Sequence, residues 1–283
     1  MIVSSAPSLG NILKYIPSND ANDIQKIYFV DVLNATCTRA NQLGKSCQLE
    51  VVETSMYQQR QLKSLDEGLL DVSWTVTSRE REANFLPVKI PLTKGLIGYR
   101  IAVFNTMFAA SFDKGAPLSN IKKLNHIQGH DWPDTKILTA NGFNVSPTSW
   151  YSTLYRSLDA GHYDVILRGL FEVLSEYELY KTPNIKIDAN HAFYYPSAIY
   201  FFVSKKRPEL ADLLMTGLES LIETGDFDKM FLEFAPHATA FETLNLDARK
   251  VHYLENPLLP NSFSLSDNRL WHIAPKNTDD SLH

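Results

Sequence analysis

The chain has 283 residues, 44% hydrophobic and 21% charged, with a net charge of −5. That composition fits a globular protein of one large or two ordinary domains and argues against disorder. It excludes a general basic field for nucleic acid, and two cysteines exclude both a disulfide-dense scaffold and a four-cysteine zinc site. The densest apolar run, Ala198 to Val203, is six residues long, far short of the about 20 that cross a bilayer.

In chain order, Ile2–Ala6 reads as a strand without the basic and apolar regions of a leader peptide. A helix is predicted within Asp23–Leu43, where Ile24, Ile27, Tyr28, Val32 and Ala35 recur at steps of three and four. Gln48–Thr54 is the next strand. Tyr57–Glu67 is a helix with Leu62 and Leu65 on one face and Gly68 just past its end. Leu70–Thr75 is a strand, and Thr77-Ser78 caps a helical turn. This β-α-β-α-β order predicts a parallel sheet covered by helices. Cys37 falls late in the first helix and Cys47 opens the following strand. The pair is either a disulfide closing a loop of about ten residues or two semi-buried thiols.

Residues 86–104 then read as extended, punctuated by Pro87 and Pro91. A second alternation follows. Helices are expected near 119–124, 133–141, 150–160 and 170–179, with strands near 126–128, 144–145 and 163–167. A second extended stretch covers 185–203. Helices are expected at Pro208–Thr224 and Asp226–Phe234, and a frayed polar tail from Ala274. Two extended stretches bracketing a block of about 95 residues predict an inserted lobe: 98–198 as lobe 2, within a discontinuous lobe 1 of 1–97 and 199–283. Such a design holds a ligand between hinged lobes.

Particular residues carry a family resemblance. Leu65-Asp66-Glu67-Gly68-Leu69-Leu70-Asp71, followed by Thr75-Val76-Thr77-Ser78-Arg79-Glu80-Arg81, resembles the "L-x-x-G-x-x-D … T-x-x-R" signature of bacterial extracellular solute-binding proteins of family 3. Leu158–Asp164 repeats "L-x-x-G-x-x-D", and Lys205-Lys206-Arg207-Pro208 resembles the family's charged turn before its C-terminal helices. The runs Pro87–Leu92, Gly95–Arg100 and Asp131–Thr135 are similar to a divergent branch of unassigned ligand. The resemblance implies an α/β, two-lobed type 2 periplasmic binding protein fold, each lobe a mixed sheet flanked by helices, joined by two crossover strands. It implies a small-molecule ligand, no cofactor and no catalysis. It also implies a monomer in the periplasm, its leader already removed, that serves an ABC transporter permease or a sensor.

The resemblance also nominates residues. Arg81 matches the arginine that forks the ligand carboxylate in amino-acid binders, a task suited to a planar guanidinium; otherwise it is a helix-surface partner of Glu80 or Glu82. The turn at Thr77-Ser78 would add donors to the same anion. Alignment on Arg81 puts Trp74 and Val76 where those binders carry small or hydroxylated residues. Thr75 and Thr77 then reach the ligand only through a bulge, and Trp74 is a stacking wall or a core residue. In the second lobe the family's ammonium-accepting Asp is replaced by Gly169, with Arg168 beside it at a strand's C-terminal end. Two arginines facing one ligand would favour an anionic or dicarboxylate-like solute, unless Arg168 pairs with Glu172. Asp131 caps the following helix or accepts a ligand hydroxyl; Trp132 and Tyr57 are further ligand-site candidates, and Arg60 lies on the same rim. His126 and His130 lack partners at metal-ligand spacing, so no metal is expected. No G-x-S-x-G, H-E-x-x-H, P-loop or G-x-G-x-x-G pattern appears, so an enzyme on this fold would need a cleft carboxylate such as Asp131 or Glu172 as its acid or base.

Overall fold

A computed structural model of the protein describes residues 11–17, 25–54, 56 and 58–272. The strand expected at Ile2–Ala6, the candidate Tyr57 and the tail from Ala274 lie outside the described residues. The chain begins β1 (Asn11–Tyr15), α1 (Gln25–Gln42), β2 (Cys47–Val51), α2 (Gln58–Asp66), β3 (Ser73–Val76), α3 (Arg79–Asn84) and β4 (Phe85–Val88). It continues β5 (Tyr99–Asn105), α4 (Leu118–Lys123), β6 (His126–Gly129), α5 (Pro133–Ala140), β7 (Val145–Thr148), α6 (Leu154–Asp159), β8 (Val165–Gly169) and α7 (Val173–Tyr180). It ends β9 (Ile185–Ile187), β10 (His191–Tyr194), β11 (Ile199–Ser204), α8 (Pro208–Glu223), α9 (Asp226–Glu233), α10 (Ala235–Leu244) and β12 (Lys250–Tyr253).

These elements form two compact units. The first takes residues up to Lys94, Ile199–Ala235 and the chain from Ser264; the second takes Gly95–Ala198 and Pro236–Phe263. Residues 236–263, expected with the first lobe, thus pack with the second unit. The physical reason is β12, whose Lys250–Tyr253 pairs in parallel with His191–Tyr194 of β10. No strong period announces this short strand in the sequence.

The first unit pairs β1 and β2 in parallel. Its other sheet is antiparallel, β3-β11-β4, so the unit combines parallel and antiparallel pairing. The centre is β11, whose six residues are all buried; a strand apolar on both faces belongs in the middle of a layered sheet. Helices α1 and α8 cross closely. A Cβ on Gly217 would lie 2.2 Å from the Thr36 backbone oxygen, so only glycine permits that approach. Cys37 and Cys47 form a disulfide with Cα atoms 5.4 Å apart. Asn41 braces it: its side-chain amide donates to the Cys47 carbonyl (2.9 Å), and its oxygen accepts the Cys47 N–H (2.8 Å).

The second unit is built on a seven-stranded mixed sheet, β12-β10-β5-β8-β6-β7, with β9 also on β5. Strand β5 is buried along its whole length. Ala102, Phe104, Ile121, Ile137, Leu138, Phe143, Val165, Leu167 and Phe193 form its core. Strands β8, β6 and β7 run parallel, so their C-terminal ends at Gly169, Gly129 and Thr148 share one edge. Asp164 serves the approach to this sheet, accepting the Asn125 N–H at 2.7 Å.

Candidate functional site

In the first unit the site candidates follow β3. Its register with β11 is continuous, Val76 opposite Ile199 through Ser73 opposite Phe202, so no bulge redirects the side chains. Ser73 and Thr75 are buried while Trp74 and Val76 are half-buried. Trp74 joins an aromatic cluster, with ring centroids 5.8 Å from Phe29 and 6.3 Å from both Tyr15 and Phe201. Thr75 is 2% exposed and its hydroxyl has no hydrogen-bond partner among the described residues. The Thr77 hydroxyl donates to Glu82 Oε1 at 2.6 Å. Ser78 is the N-cap of α3 and accepts the Arg81 N–H at 3.2 Å. Both turn hydroxyls therefore serve local structure.

Arg81 is held by neutral oxygens. Its Nη1 donates to the Val76 carbonyl, and its Nη2 donates to Gln58 Oε1 at 3.0 Å. It makes no ion pair among the described residues, although Glu80 and Glu82 flank it. Glu82 instead pairs with Lys89 at 3.3 Å. Burial lowers the Arg81 pKa, with Glu80 acting the other way. A guanidinium anchored by a carbonyl and an amide keeps its full charge and spare N–H groups for an incoming anion. Arg60 is paired with Glu67 at 3.1 Å.

The second unit carries its candidates at the shared C-terminal edge of β6, β7 and β8, the end where open α/β sheets bind ligands. Arg168, at the end of β8, is fully engaged. Its Nε donates to Glu176 Oε2 at 2.6 Å, its Nη2 also bonds Glu176 Oε1, and Nη2 lies 3.0 Å from Glu172 Oε2. Its guanidinium carbon lies 4.5 Å from the Trp132 ring centre, a cation–π stack. Tyr155 donates to Glu176 at 2.9 Å. Despite burial, the two carboxylates hold the Arg168 pKa above its ordinary value. Burial also opposes the Glu172 charge, yet Arg168, Arg100 and the Gly169 N–H hold this carboxyl below the usual range. Asp131 is exposed, 4.0 Å from His130, and does not cap α5; Trp132 takes the N-cap position without a side-chain capping bond. There the tighter link is made by Thr135, whose hydroxyl donates to the Gly129 carbonyl at 2.6 Å.

Arg100, Asp134 and Tyr195, which sequence reasoning did not select, form a buried network under this edge. Arg100 Nε lies 2.7 Å from Asp134 Oδ1 and 2.8 Å from the Tyr195 hydroxyl, which donates to Asp134 at 2.5 Å. The available signal was a single arginine inside the apolar stretch Tyr99–Phe104. Gly169 completes the packing. A Cβ there would lie 2.8 Å from Glu172 Oε2 and 2.9 Å from Arg100 Nη1, so both side chains close over a bare backbone. Together Arg100 and Arg168 face Asp134, Glu172 and Glu176, an excess of one negative charge. No group of three metal-binding side chains occurs among the described residues.

Solved structures share this architecture. One is the probable amino-acid ABC transporter extracellular-binding protein ytmK of Bacillus subtilis, at a TM-score of 0.62 and 16% identity, with 81% of this chain and 99% of that chain covered. The fold is that of the extracellular solute-binding proteins. A second with this solute-binding fold is the periplasmic VFT2 domain of BvgS from Bordetella pertussis (TM-score 0.57, 16% identity, 78% and 92% covered). A third is a periplasmic binding protein of Salmonella typhimurium with high arginine specificity (TM-score 0.55, 16% identity, 78% and 97% covered). No protein-family model and no curated protein sequence matches the chain. Among the described residues no helix is long and apolar enough to cross a membrane.

Proposed function

We propose that the protein is a periplasmic solute-binding protein that captures a small carboxylate-bearing metabolite for an ABC-type transporter or a sensor, acting as a monomer. The observation that carries this reading is Arg81, a half-buried guanidinium anchored, among the described residues, by neutral oxygens on a solute-binding fold. Its spare donors suit a bidentate carboxylate. Trp74 is the neighbouring candidate on the same unit, since the continuous β3 register lacks the bulge that would bring Thr75 and Thr77 to the ligand. Trp132, Arg168 and Asp131 are those of the second.

The charge proposed for the solute takes support from the second unit. Arg168 is neutralised by Glu172 and Glu176, so it does not add a second anion clamp. A ligand with one carboxylate and a neutral or cationic remainder suits this chain better than a dianion. Two neighbours in fold are described as arginine binders, which makes L-arginine the first probe. An enzyme using Glu172 as proton donor would need a raised pKa, whereas its carboxyl is held low.

The test is thermal unfolding with the twenty L-amino acids, agmatine and succinate. A bound probe at 100 times its Kd stabilises by about 2.7 kcal/mol. The expected result is a shift with a monocarboxylate that Arg81→Ala abolishes. A shift that survives Arg81→Ala refutes the clamp, and a shift with succinate alone refutes the monocarboxylate assignment.

A further inference from the structure

We infer that Gln58 is the positioning residue that holds Arg81 in orientation without compensating its charge, and thereby sets the first unit's selectivity for a carboxylate. The inference rests on the solute-binding reading of Arg81 but concerns a different residue. Every ingredient lies within the first unit. Arg81 grows from α3, and Gln58 opens α2, 23 residues earlier. The guanidinium is held from two sides, by the Val76 carbonyl through Nη1 and by Gln58 Oε1 through Nη2.

The chemistry of that second anchor decides what Arg81 can do. Other arginines here meet acids directly: Arg39 meets Asp226, Arg60 meets Glu67, Arg100 meets Asp134 and Arg207 meets Asp71. Each of those charges is internally compensated. At Arg81 the acceptor is a side-chain amide. An amide oxygen supplies a hydrogen bond of similar geometry without a compensating charge. Of the two flanking acids, Glu82 is drawn off by the Thr77 hydroxyl at 2.6 Å and by Lys89 at 3.3 Å, and Glu80 acts on Arg81 through space without an ion pair among the described residues. Gln58 therefore fixes the plane of the fork while leaving its charge for a ligand. A carboxylate at position 58 would keep the hydrogen bond and cancel the charge.

Three variants test this: Gln58→Glu, Gln58→Asn and Gln58→Ala, each checked for a wild-type unfolding midpoint. The ligand-free arm follows phenylglyoxal modification of Arg81 by peptide mass spectrometry. A new carboxylate neighbour that raises the Arg81 pKa by about one unit slows this reaction about tenfold. The expected result is slowing in Gln58→Glu alone, with Gln58→Ala and Gln58→Asn at or above the wild-type rate. Equal rates in wild type and Gln58→Glu overturn the inference. The binding arm compares L-arginine with agmatine, which lacks the carboxylate. Gln58→Glu should weaken L-arginine at least tenfold and leave agmatine unchanged; equal loss of both, or loss of neither, overturns the inference. If wild type binds no probe of the panel while the phenylglyoxal contrast holds, the solute-binding reading fails and the charge-keeping role of Gln58 stands.

Discussion

Acid should loosen the second unit through one pair of histidines. His191 and His252 stack with ring nitrogens 2.9 Å apart, Nδ1 of the first to Nε2 of the second. His191 Nε2 lies 3.1 Å from the Asp113 carbonyl, so it must carry the proton. Its Nδ1 is then an acceptor, and His252 donates through Nε2. The neutral pair thus fastens β12 to β10. Around it stand Lys250 and Lys122, which repel a protonated His252; Asp188, which accepts the His191 N–H; and Arg249, which donates to the Asp188 and His191 carbonyls. Burial first, and then His191 and the two lysines, push the His252 pKa down to about 4.

A histidine depressed in the folded state contributes stability that is complete above its unfolded pKa, about 6.5, and is lost as pH falls towards 4. Between pH 7.5 and 5 the loss is about 2 kcal/mol, because at pH 5 the unfolded imidazole is almost fully protonated and the folded one is not. Urea unfolding at both pH values, on wild type and on His252→Gln, isolates this contribution. Glutamine still donates to His191 Nδ1 but does not titrate. Wild type should lose about 2 kcal/mol more than the variant across that interval. An equal loss in both proteins would refute the tautomer assignment and the buried-pair reasoning together.

Other outcomes follow from the same structure. Glu176→Ala leaves Arg168 with Glu172 alone and removes the acceptor of the Tyr155 hydroxyl; losing these charge-assisted hydrogen bonds costs about 2–3 kcal/mol, read as a lower urea midpoint. A smaller cost than that of Arg60→Ala, which breaks an exposed pair worth under about 1 kcal/mol, would contradict it. Opening the Cys37–Cys47 bridge by a double serine substitution should cost about 2.5–3 kcal/mol, with ligand shifts preserved. Gly217→Ala drives a methyl against the Thr36 backbone and should lower the thermal midpoint by an amount equivalent to about 1–3 kcal/mol; a neutral result would mean that α1 and α8 separate freely.

Periodicity and punctuation in the sequence were enough for α1, α2, α5, α8 and α9, whose apolar residues recur at helical steps or whose ends carry Gly or Pro. The apolar run Ala198–Val203 is likewise an extended segment, and burial on both faces places its strand inside a sheet. Arg81 was nominated through the motif that surrounds it. Pairing partners were a different matter. Whether Arg81 meets Glu82 or Gln58, and whether Arg168 meets a ligand or Glu172 and Glu176, depends on residues brought within 3 Å by the fold. The sequence contains more acids than any one arginine can reach, and neighbours along the chain need not be neighbours in space. The same holds for β12 and for Asp134 beneath Arg100, which are long-range placements. Local propensity determined what each segment becomes, and tertiary packing decided which charges are compensated inside the protein.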